Sequence, residues 1–345
     1  MEKRLLITRW LRPDPQPIPI YDEASVSSAR QKVRETGRRL NLQNELIETV
    51  ALIASELGHN QRLHSKQGYI AVRSVERLGV KGLEVVAADI GPGIKWPAQA
   101  IRGRATTAES LGAGLGAVCR LADEVEFDNR IAEGLCVVAR KFETRAAARC
   151  CEIAVMGKPF PGEIISGDDA GFAQSESVLV AAVSDGLGHG PEAREASNRA
   201  IDVTMGTSQL SPDEIMTTLN QELADTRGCA MSVVRFSKHD RSLECVSVGD
   251  VHAHLYNRKD AHFFPSTPFV VGERKVPQRK VRLEQATAEP GSVLVVFTDG
   301  LKSRTSLKGQ LEVLRRPAIG IAQHLLENDS RPDDDALVLV ARFLT

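Results

Sequence analysis

Residues 178–190, VLVAAVSDGLGHG, constrain the fold of this chain more than any other stretch. The apolar run 178–183 has the length and composition of a buried strand. Asp185 follows it, and three glycines then occur within five positions, so the backbone can turn sharply and approach a ligand closely. Because a hard divalent cation prefers oxygen ligands, this carboxylate predicts a metal ligand at the end of a strand.

Three more acidic sites in the C-terminal half also border apolar runs. Asp299 follows the run 292–297, the acidic residues 333–335 precede the strand-like run 336–341, and the pair 168–169 precedes the first strand. If the last strand is antiparallel to the other two, its start lies at the sheet edge where they end, and the acidic groups converge there. A single Asp-Gly pair is commonly a hairpin turn, but four acidic sites beside apolar runs favour a shared metal site.

At these positions the chain resembles the metal-dependent protein phosphatases of the PPM superfamily, most closely their bacterial SpoIIE/RsbX-like branch. The matching motifs are SGDD at 166–169, SDGLGHG at 184–190, FTDG at 297–300 and PDDDALVLV at 332–340. The resemblance implies an α-β-β-α sandwich over residues 151–345 that holds two Mn²⁺ or Mg²⁺ ions and hydrolyses phosphoserine or phosphothreonine. Such a pair of ions neutralises phosphoryl oxygens and lowers the pKa of a bridging water.

The resemblance also implies which residues bind the metal ions. Asp185 would bridge both ions and act as the central catalytic carboxylate, and Gly186 would contribute its carbonyl oxygen. The other expected ligands are carboxylates: Asp168, Asp299, Asp333 and Asp334. Asp169 stays open as an alternative to Asp168, and Asp334 stays open as an alternative to Asp333.

Two positions close to these motifs carry further expectations. Ala336 stands where the family usually has a threonine, a change that would loosen the surroundings of the last metal ligand. His189 either protonates the leaving serine oxygen or serves only the glycine-rich turn, and the structural role is favoured.

In the N-terminal half, residues 42–64 show apolar side chains at helical spacing. Glu56 and Asn60 lie four positions apart and therefore stack on one face of that helix, at the edge of its apolar stripe. A carboxylate and an amide placed in this way could serve as a base and a Mg²⁺ ligand. Surface pairs of Glu and Asn are common, so this pair alone does not establish such a site.

The strand-like run 83–88 leads into Asp89-Ile90-Gly91-Pro92-Gly93, and a glycine-rich stretch, 110–116, precedes a helix expected at 117–123. Glycines directly before a helix leave backbone N–H groups free to hold phosphates, assisted by the helix dipole. A dinucleotide-binding fingerprint requires a strand immediately before the glycines, whereas 102–110 is polar. The chain also lacks a Walker GxxxxGK[ST] motif.

Together these residues resemble the GHKL, or Bergerat-fold, ATPases, specifically the RsbT-type serine kinases of anti-sigma-factor pathways. The motifs are SELGHN at 55–60, DIGPGI at 89–94 and SLGAGLGAV at 110–118. The resemblance covers residues 17–142 and implies an α/β sandwich, a mixed sheet covered by helices. Glu56 would activate a substrate serine, and Asn60 would hold Mg²⁺. The residues implied to bind ATP are Asp89, at the adenine amino group, and Gly91, Gly93, Gly112, Gly114 and Gly116.

One departure from the family pattern concerns the adenine pocket. The family usually has Gly-Thr near its last strand, where the threonine helps to hold adenine through a water. Here Gly134 is followed by Leu135 and Cys136. This departure motivates an alternative in which the N-terminal domain senses nucleotide or binds a partner without phosphoryl transfer. A histidine-kinase function is disfavoured, since there is no separate dimerisation helix with an acceptor histidine.

The length of 345 residues predicts two domains. We expect an extension at 1–16, an ATP-binding kinase domain at 17–142, a linker at 143–150 and a phosphatase domain at 151–345. Basic and acidic residues balance, 44 against 45, which favours neither nucleic acid nor a membrane surface as a partner. No apolar run approaches the ~20 residues that span a bilayer. The six cysteines lack metal-binding spacing, so reduced thiols and a cytoplasmic location are expected.

The sequence therefore predicts a two-domain α+β switch protein with ATP, Mg²⁺ and a Mn²⁺ or Mg²⁺ pair as cofactors. One domain would phosphorylate a serine or threonine of a partner, and the other would dephosphorylate such a residue. Family resemblance implies a STAS-domain antagonist as the partner, with a sigma factor or further regulator as a possible addition. The competing hypotheses are a phosphatase with a nucleotide-sensing domain and a non-catalytic scaffold. The oligomeric state is left open.

Overall fold

The computed structural model describes residues 5–11, 16–102, 111–144, 150–272 and 281–344. The chain divides into two compact units, Met1–Ala154 and Val155–Thr345. Each unit contains both helices and strands, which confirms the predicted two-domain α+β class. None of the described helices combines the length and the apolar character needed to cross a membrane.

In the part of the chain that the structure describes, the first unit combines helices with five paired strands. Its helices are α1 (Leu5–Leu11), α2 (Glu23–Arg39), α3 (Asn44–His64), α4 (Pro97–Ile101) and α5 (Leu111–Leu121). Its strands are β1 (Ile18–Ile20), β2 (Gly68–Arg77), β3 (Val80–Asp89), β4 (Glu124–Arg130) and β5 (Gly134–Phe142). They lie in the order β1-β2-β3-β5-β4, and each neighbouring pair is antiparallel.

Helices cover both faces of this sheet. On one face, α3 approaches β2 so closely that a Cβ placed on Gly58 would lie 3.5 Å from Cδ1 of Ile70. Successive strand residues point to opposite faces, and Ala71 packs on the other face against Leu6 and Leu11 of α1. The apolar stripe predicted for 42–64 is thus the buried face of α3.

Among its described residues, the second unit has two sheets and four helices. β6 (Cys151–Lys158) runs across the boundary at Ala154. The strands that follow it begin with β7 (Asp168–Gln174), β8 (Val178–Gly186), β9 (Cys229–Ser237), β10 (Ser242–Val248) and β11 (His252–Tyr256). They continue with β12 (Ala261–Phe264), β13 (Ser266–Thr267), β14 (Glu284–Thr287), β15 (Val293–Phe297) and β16 (Ala336–Phe343). The helices are α6 (Pro191–Gly206), α7 (Pro212–Glu222), α8 (Leu311–Leu314) and α9 (Ala318–Asp329).

These elements form an α-β-β-α sandwich. One sheet has the order β6-β16-β15-β11-β12, and the other has the order β7-β8-β9-β10-β13, with β14 also paired to β10. Val180 and Ala182 of β8 pack in one core with α6 and α7, while α9 packs against β16. Between the sheets, the rings of Phe236 and Phe343 lie 4.4 Å apart.

The predicted antiparallel arrangement of the last strand is confirmed for only one of its two partners. β16 pairs antiparallel with β15, so its start lies beside the end of β15. β8 instead lies in the facing sheet, because β7 and β9 occupy both of its edges. Asp185 of β8 and Asp168 of β7 therefore reach the others from the opposite layer of the sandwich.

The predicted start of the glycine-rich helix is wrong. Helix α5 begins at Leu111, so Gly112, Gly114 and Gly116 lie inside it and not in a preceding loop. The reason is close packing: a Cβ on Gly116 would lie 2.6 Å from the carbonyl oxygen of Ile101. Glycine normally disfavours helix, but here it lets α5 approach its neighbours. Ser110, the first residue of the motif, lies outside the described residues.

Candidate metal and nucleotide sites

Asp168 and Asp185 are direct neighbours on β7 and β8. The antiparallel register pairs the two residues, so their side chains leave the sheet on the same face. Asp168 is 1% exposed. Its neighbour Asp169 is paired with Ser184 and therefore leaves the sheet on the opposite face. Of the two alternatives in this acidic pair, the register brings Asp168 to Asp185.

Hydrogen bonds connect this pair to the facing sheet. The hydroxyl of Thr298 donates to Oδ2 of Asp168 over 2.8 Å and accepts from the N–H of Leu337 over 3.0 Å. Asp335, just before β16, accepts from the N–H of Gly167 over 2.5 Å. Segments from all the acidic motifs predicted in this half therefore meet at one place.

The carboxylates at this place raise one another's pKa. Burial, followed by the charge of Asp299, raises the pKa of Asp185 to about 8. Burial is also the main cause that raises the pKa of Asp168, and the charge of Asp185 comes second. Burial raises the pKa of Asp334 to about 6, again with the charge of Asp299 as the next cause. Closely placed buried carboxylates of this kind favour a bound cation.

The structure brings together most of the predicted ligands, but Asp333 does not join them. Asp333 is exposed, whereas Asp334 is half-buried and its charge acts on Asp185. Asp333 lies in the turn before β16, whereas the charges of the next two carboxylates, Asp334 and Asp335, both act on Asp185. Sequence reasoning missed Asp250, whose charge also acts on Asp185. It follows Gly249 at the end of β10, the same pattern that identified the other acidic sites.

The donor chemistry at this place suits divalent cations. Carboxylate oxygens and the carbonyl of Gly186 are the hard oxygen ligands that Mg²⁺ and Mn²⁺ prefer. Among the described residues, no three His, Cys, Asp or Glu side chains already stand as a formed metal cage. The fit therefore rests on donor type and on the repulsion that a cation would relieve.

Two glycines allow close backbone contacts at the ends of β8 and β15, one with helix α6 and one with the segment before β16. A Cβ on Gly186 would lie 2.0 Å from the carbonyl oxygen of Ala193, and a Cβ on Gly300 would lie 1.8 Å from that of Asp335. Both contacts are with backbone, which cannot move without shifting the cluster. The glycines of the predicted turns are therefore required by close approach.

His189 is held by the loop that precedes β7. Its ring stacks on Phe160 with the ring centroids 4.6 Å apart, and its Nδ1 is hydrogen-bonded to Glu163. These contacts tie the glycine-rich turn to a neighbouring segment. They agree with the structural role that the sequence favoured.

In the first unit, Glu56 and Asn60 both point toward Gly114. A Cβ on Gly114 would lie 3.0 Å from Oε2 of Glu56 and 3.0 Å from Oδ1 of Asn60. Within the described residues, Nδ2 of Asn60 is buried without a hydrogen-bond partner. Buried polar groups are normally paired, so this amide is the kind of group that a ligand would satisfy.

Asp89 lies at the end of β3 beside the glycine turns. Burial raises its pKa to about 7, and it accepts a hydrogen bond from the N–H of Leu135 over 3.3 Å. Gly134 has φ +143°, and a Cβ there would lie 2.1 Å from the carbonyl oxygen of Asp89. A Cβ on Gly91 would lie 2.8 Å from Oδ1 of Asp89, and one on Gly93 would lie 2.6 Å from the carbonyl oxygen of Arg130. Gly91 and Gly134 thus lie against Asp89, the residue that is expected to accept from adenine, whereas Gly93 lies against Arg130.

Together, the fold and the sites define a class of protein: a sandwich with an acidic site, in one chain with a helix-covered sheet that carries Glu56, Asn60 and Asp89. Residues 175–344 match the family model "Stage II sporulation protein E (SpoIIE)", and residues 21–141 match "Histidine kinase-like ATPase domain". The chain therefore belongs to the SpoIIE-type PPM family through its second unit and to the GHKL-like ATPase family of RsbT through its first.

Two Bacillus subtilis proteins show the same division. Phosphoserine phosphatase RsbX is 29% identical over 140 residues, which cover 41% of this chain and 69% of RsbX. Serine/threonine-protein kinase RsbT is 32% identical over 123 residues, which cover 36% of this chain and 92% of RsbT. Each relative thus corresponds to one part of the chain.

Solved structures agree with the fold of the phosphatase-like part. One, described as "The bacterial stressosome: a modular system that has been adapted to control secondary messenger signaling", is 26% identical with a TM-score of 0.53. It covers 56% of this chain and 100% of its own. The crystal structure of RsbX in complex with magnesium is 24% identical with a TM-score of 0.50, covers 56% of this chain and 95% of its own, and supports the fold alone.

Proposed function

We propose that the chain is a bifunctional switch protein. Its second unit removes phosphate from a phosphoserine or phosphothreonine of a partner protein, and its first unit transfers phosphate from ATP to such a residue. The observation that carries the proposal is the convergence of separated carboxylates at one buried place in the sandwich. Similarity to RsbX and RsbT supports a phosphatase and a kinase.

In the phosphatase unit, the residues proposed to hold the metal pair are Asp168, Asp185, Gly186, Asp299 and Asp334. When bound, Mn²⁺ or Mg²⁺ supplies positive charge for the phosphoryl oxygens and activates water. Thr298 orients Asp168 through its hydroxyl. Asp335 anchors the backbone of Gly167 just before β7, so we give it a positioning role.

In the kinase unit, Glu56 is proposed to accept the proton of the substrate hydroxyl and Asn60 to hold Mg²⁺. Asp89 would accept a hydrogen bond from the adenine amino group. ATP would supply the phosphoryl group, and transfer depends mainly on alignment and charge stabilisation. The shared orientation of Glu56 and Asn60 toward Gly114 supports this assignment.

A nucleotide-sensing domain without transfer is the second candidate. Leu135 occupies the expected threonine position and offers Asp89 only its backbone N–H. Cys136, the next residue, is buried with its thiol pKa raised well above normal by burial. No hydroxyl therefore stands at this position to hold adenine through a water.

We propose a STAS-domain antagonist as the protein substrate and a cytoplasmic location, on the basis of the RsbT and RsbX similarity. The test uses the full chain with labelled ATP and a purified STAS-domain protein. Wild type should label the partner with Mg²⁺, and Glu56→Gln should not. Asp185→Asn should retain labelling but lose Mn²⁺-dependent release of the label.

The outcomes separate the candidates. ATP binding without labelling by wild type would favour the sensing domain. Release of label by Asp185→Asn at the wild-type rate would contradict the proposed phosphatase site.

A further inference from the structure

A cationic side chain that the proposed mechanism does not use lies beside the acidic cluster. A Cβ on Gly188, three residues after Asp185, would lie 3.3 Å from Nη1 of Arg227. The cluster lies on the other side of the same turn. The Cβ position of Gly167 is 3.3 Å from the carbonyl oxygen of Gly188 and 3.1 Å from Oδ2 of Asp335. Only one turn of backbone thus separates the guanidinium from the carboxylates.

The backbone around Arg227 is held in place. The N–H of Leu187 donates to the carbonyl of Gly228 over 3.2 Å, continuing the β8–β9 pairing that ends at Gly186 and Cys229. Gly228 has φ +80°, and a Cβ there would lie 2.5 Å from the carbonyl oxygen of Val271. Arg227 therefore emerges from a fixed point opposite the turn that follows Asp185.

The side chain itself is free to change partners. Arg227 forms an ion pair with Glu192 in the first turn of α6, and the two side chains are 51% and 68% exposed. Ion pairs with this exposure contribute little and exchange readily. A phosphoryl group carries more charge than a carboxylate and matches the planar guanidinium with two parallel hydrogen bonds. A phosphorylated side chain would therefore displace Glu192.

A cavity of about 590 Å³ adjoins the guanidinium. Leu187, Ala224 and Val270 give it apolar walls, while Asp225, Thr226 and Arg227 add polar groups. The charge of Asp225 is balanced by an ion pair with Arg199. Its size lies within the range of ~300–1,000 Å³ that ligand sites occupy. The mixture of apolar and polar walls suits a short peptide segment.

We infer that Arg227 binds the phosphoryl group of the substrate and that the adjoining cavity takes the residues next to the phosphorylated one. Glu192 holds the guanidinium in the substrate-free enzyme and competes with the phosphoryl group. The inference rests on the proposed phosphatase function, to which it adds a specificity residue and a binding site for the flanking peptide.

The test measures steady-state hydrolysis by the full chain with Mn²⁺, using a phosphoserine peptide and p-nitrophenyl phosphate. Arg227→Ala should raise KM for both substrates about tenfold, with kcat changed less than about threefold, and Arg227→Lys should fall between it and wild type. Glu192→Gln should lower KM about twofold or more. Leu187→Ala should raise KM for the peptide only.

Arg282→Ala is the matched control, since Arg282 is also exposed, at 69%, and forms an ion pair with Glu284, two residues further along the chain. It should leave both KM values unchanged. Thermal unfolding of Arg227→Ala should match wild type. If wild type turns over and Arg227→Ala keeps both KM values within twofold, the inference is overturned while the phosphatase proposal stands. If wild type hydrolyses neither substrate with Mn²⁺, both are overturned.

Discussion

The repulsion within the acidic cluster predicts how the stability of the folded protein depends on pH. Burial and neighbouring charges raise the pKa of Asp185 from 3.8 to about 8. A carboxyl whose pKa is raised on folding binds its proton more tightly in the folded state. The folded state is therefore favoured at low pH and loses stability as the pH rises from about 4 toward about 8.

The size of this effect follows from the shift. At pH 7 the unfavourable contribution is about 4 kcal/mol, since each unit between 3.8 and pH 7 costs about 1.4 kcal/mol. Asp185→Asn nearly keeps the shape and needs no proton uptake on folding, so it should recover up to about 4 kcal/mol in the metal-free protein. At ~2–4 °C per kcal/mol, the Tm of the phosphatase unit should rise by roughly 8–16 °C.

The assay is thermal unfolding of the full chain at pH 7, with chelator and then with Mn²⁺. Wild type should be stabilised by Mn²⁺, whereas Asp185→Asn should be more stable without metal, insensitive to Mn²⁺ and inactive. The difference between the two proteins in chelator should shrink toward pH 4. Asp333→Asn, at an exposed neighbouring carboxylate, should change neither behaviour. A lower metal-free Tm for Asp185→Asn would refute the reasoning.

Three further predictions concern single residues. Because burial raises the pKa of Asp89 to about 7 and an ionised carboxylate accepts from the adenine amino group more strongly than a protonated one, ADP should bind more weakly at pH 6 than at pH 8, by up to about tenfold. Calorimetric titration should show no such dependence in Asp89→Asn; an equal dependence would contradict the assignment. Gly114→Ala adds a methyl 3.0 Å from Glu56 Oε2, so the affinity for nucleotide should fall about tenfold. The free energy of unfolding in urea should change by less than about 1 kcal/mol. An unchanged affinity would count against the proposed nucleotide site. Gly300→Ala places a Cβ 1.8 Å from the carbonyl oxygen of Asp335, so urea unfolding should show a loss of at least about 2 kcal/mol, and a neutral result would show that the backbone there can move.

Local patterns predicted the strands and the acidic residues at their ends. The apolar runs beside Asp185 and Asp299 became β8 and β15, and the run after Asp335 became β16. These predictions succeeded because a buried strand bounded by glycine or acidic residues is recognisable within about ten residues. The Asp250 site carried the same pattern in β10 and was overlooked.

The choice between adjacent carboxylates required the three-dimensional register. A shift of one residue turns a side chain to the other face of a sheet, so the sequence alone left Asp168 and Asp169 as alternatives. The sequence alone likewise left both Asp333 and Asp334 as candidate ligands. The hydrogen bond from Thr298 to Asp168 joins positions 130 residues apart, and no local pattern encodes such a partner.

Helix α5 shows a second feature that could not be predicted from the sequence. Its glycines suggested a phosphate-binding loop, yet they lie within the helix because α3 and α4 approach it closely. A glycine needed for packing and a glycine needed for a turn look alike in sequence. The distinction depends on contacts with Glu56, Asn60 and Ile101, which lie far from or outside the motif.

The central claim is that carboxylates from both sheets bind a pair of divalent cations. Titration of the metal-free chain with Mn²⁺, followed by electron paramagnetic resonance, tests it directly. We expect two ions per chain with the spin coupling of a close pair, and loss of that coupled signal in Asp185→Asn. Binding of no Mn²⁺, or an unchanged coupled signal in Asp185→Asn, would contradict the claim.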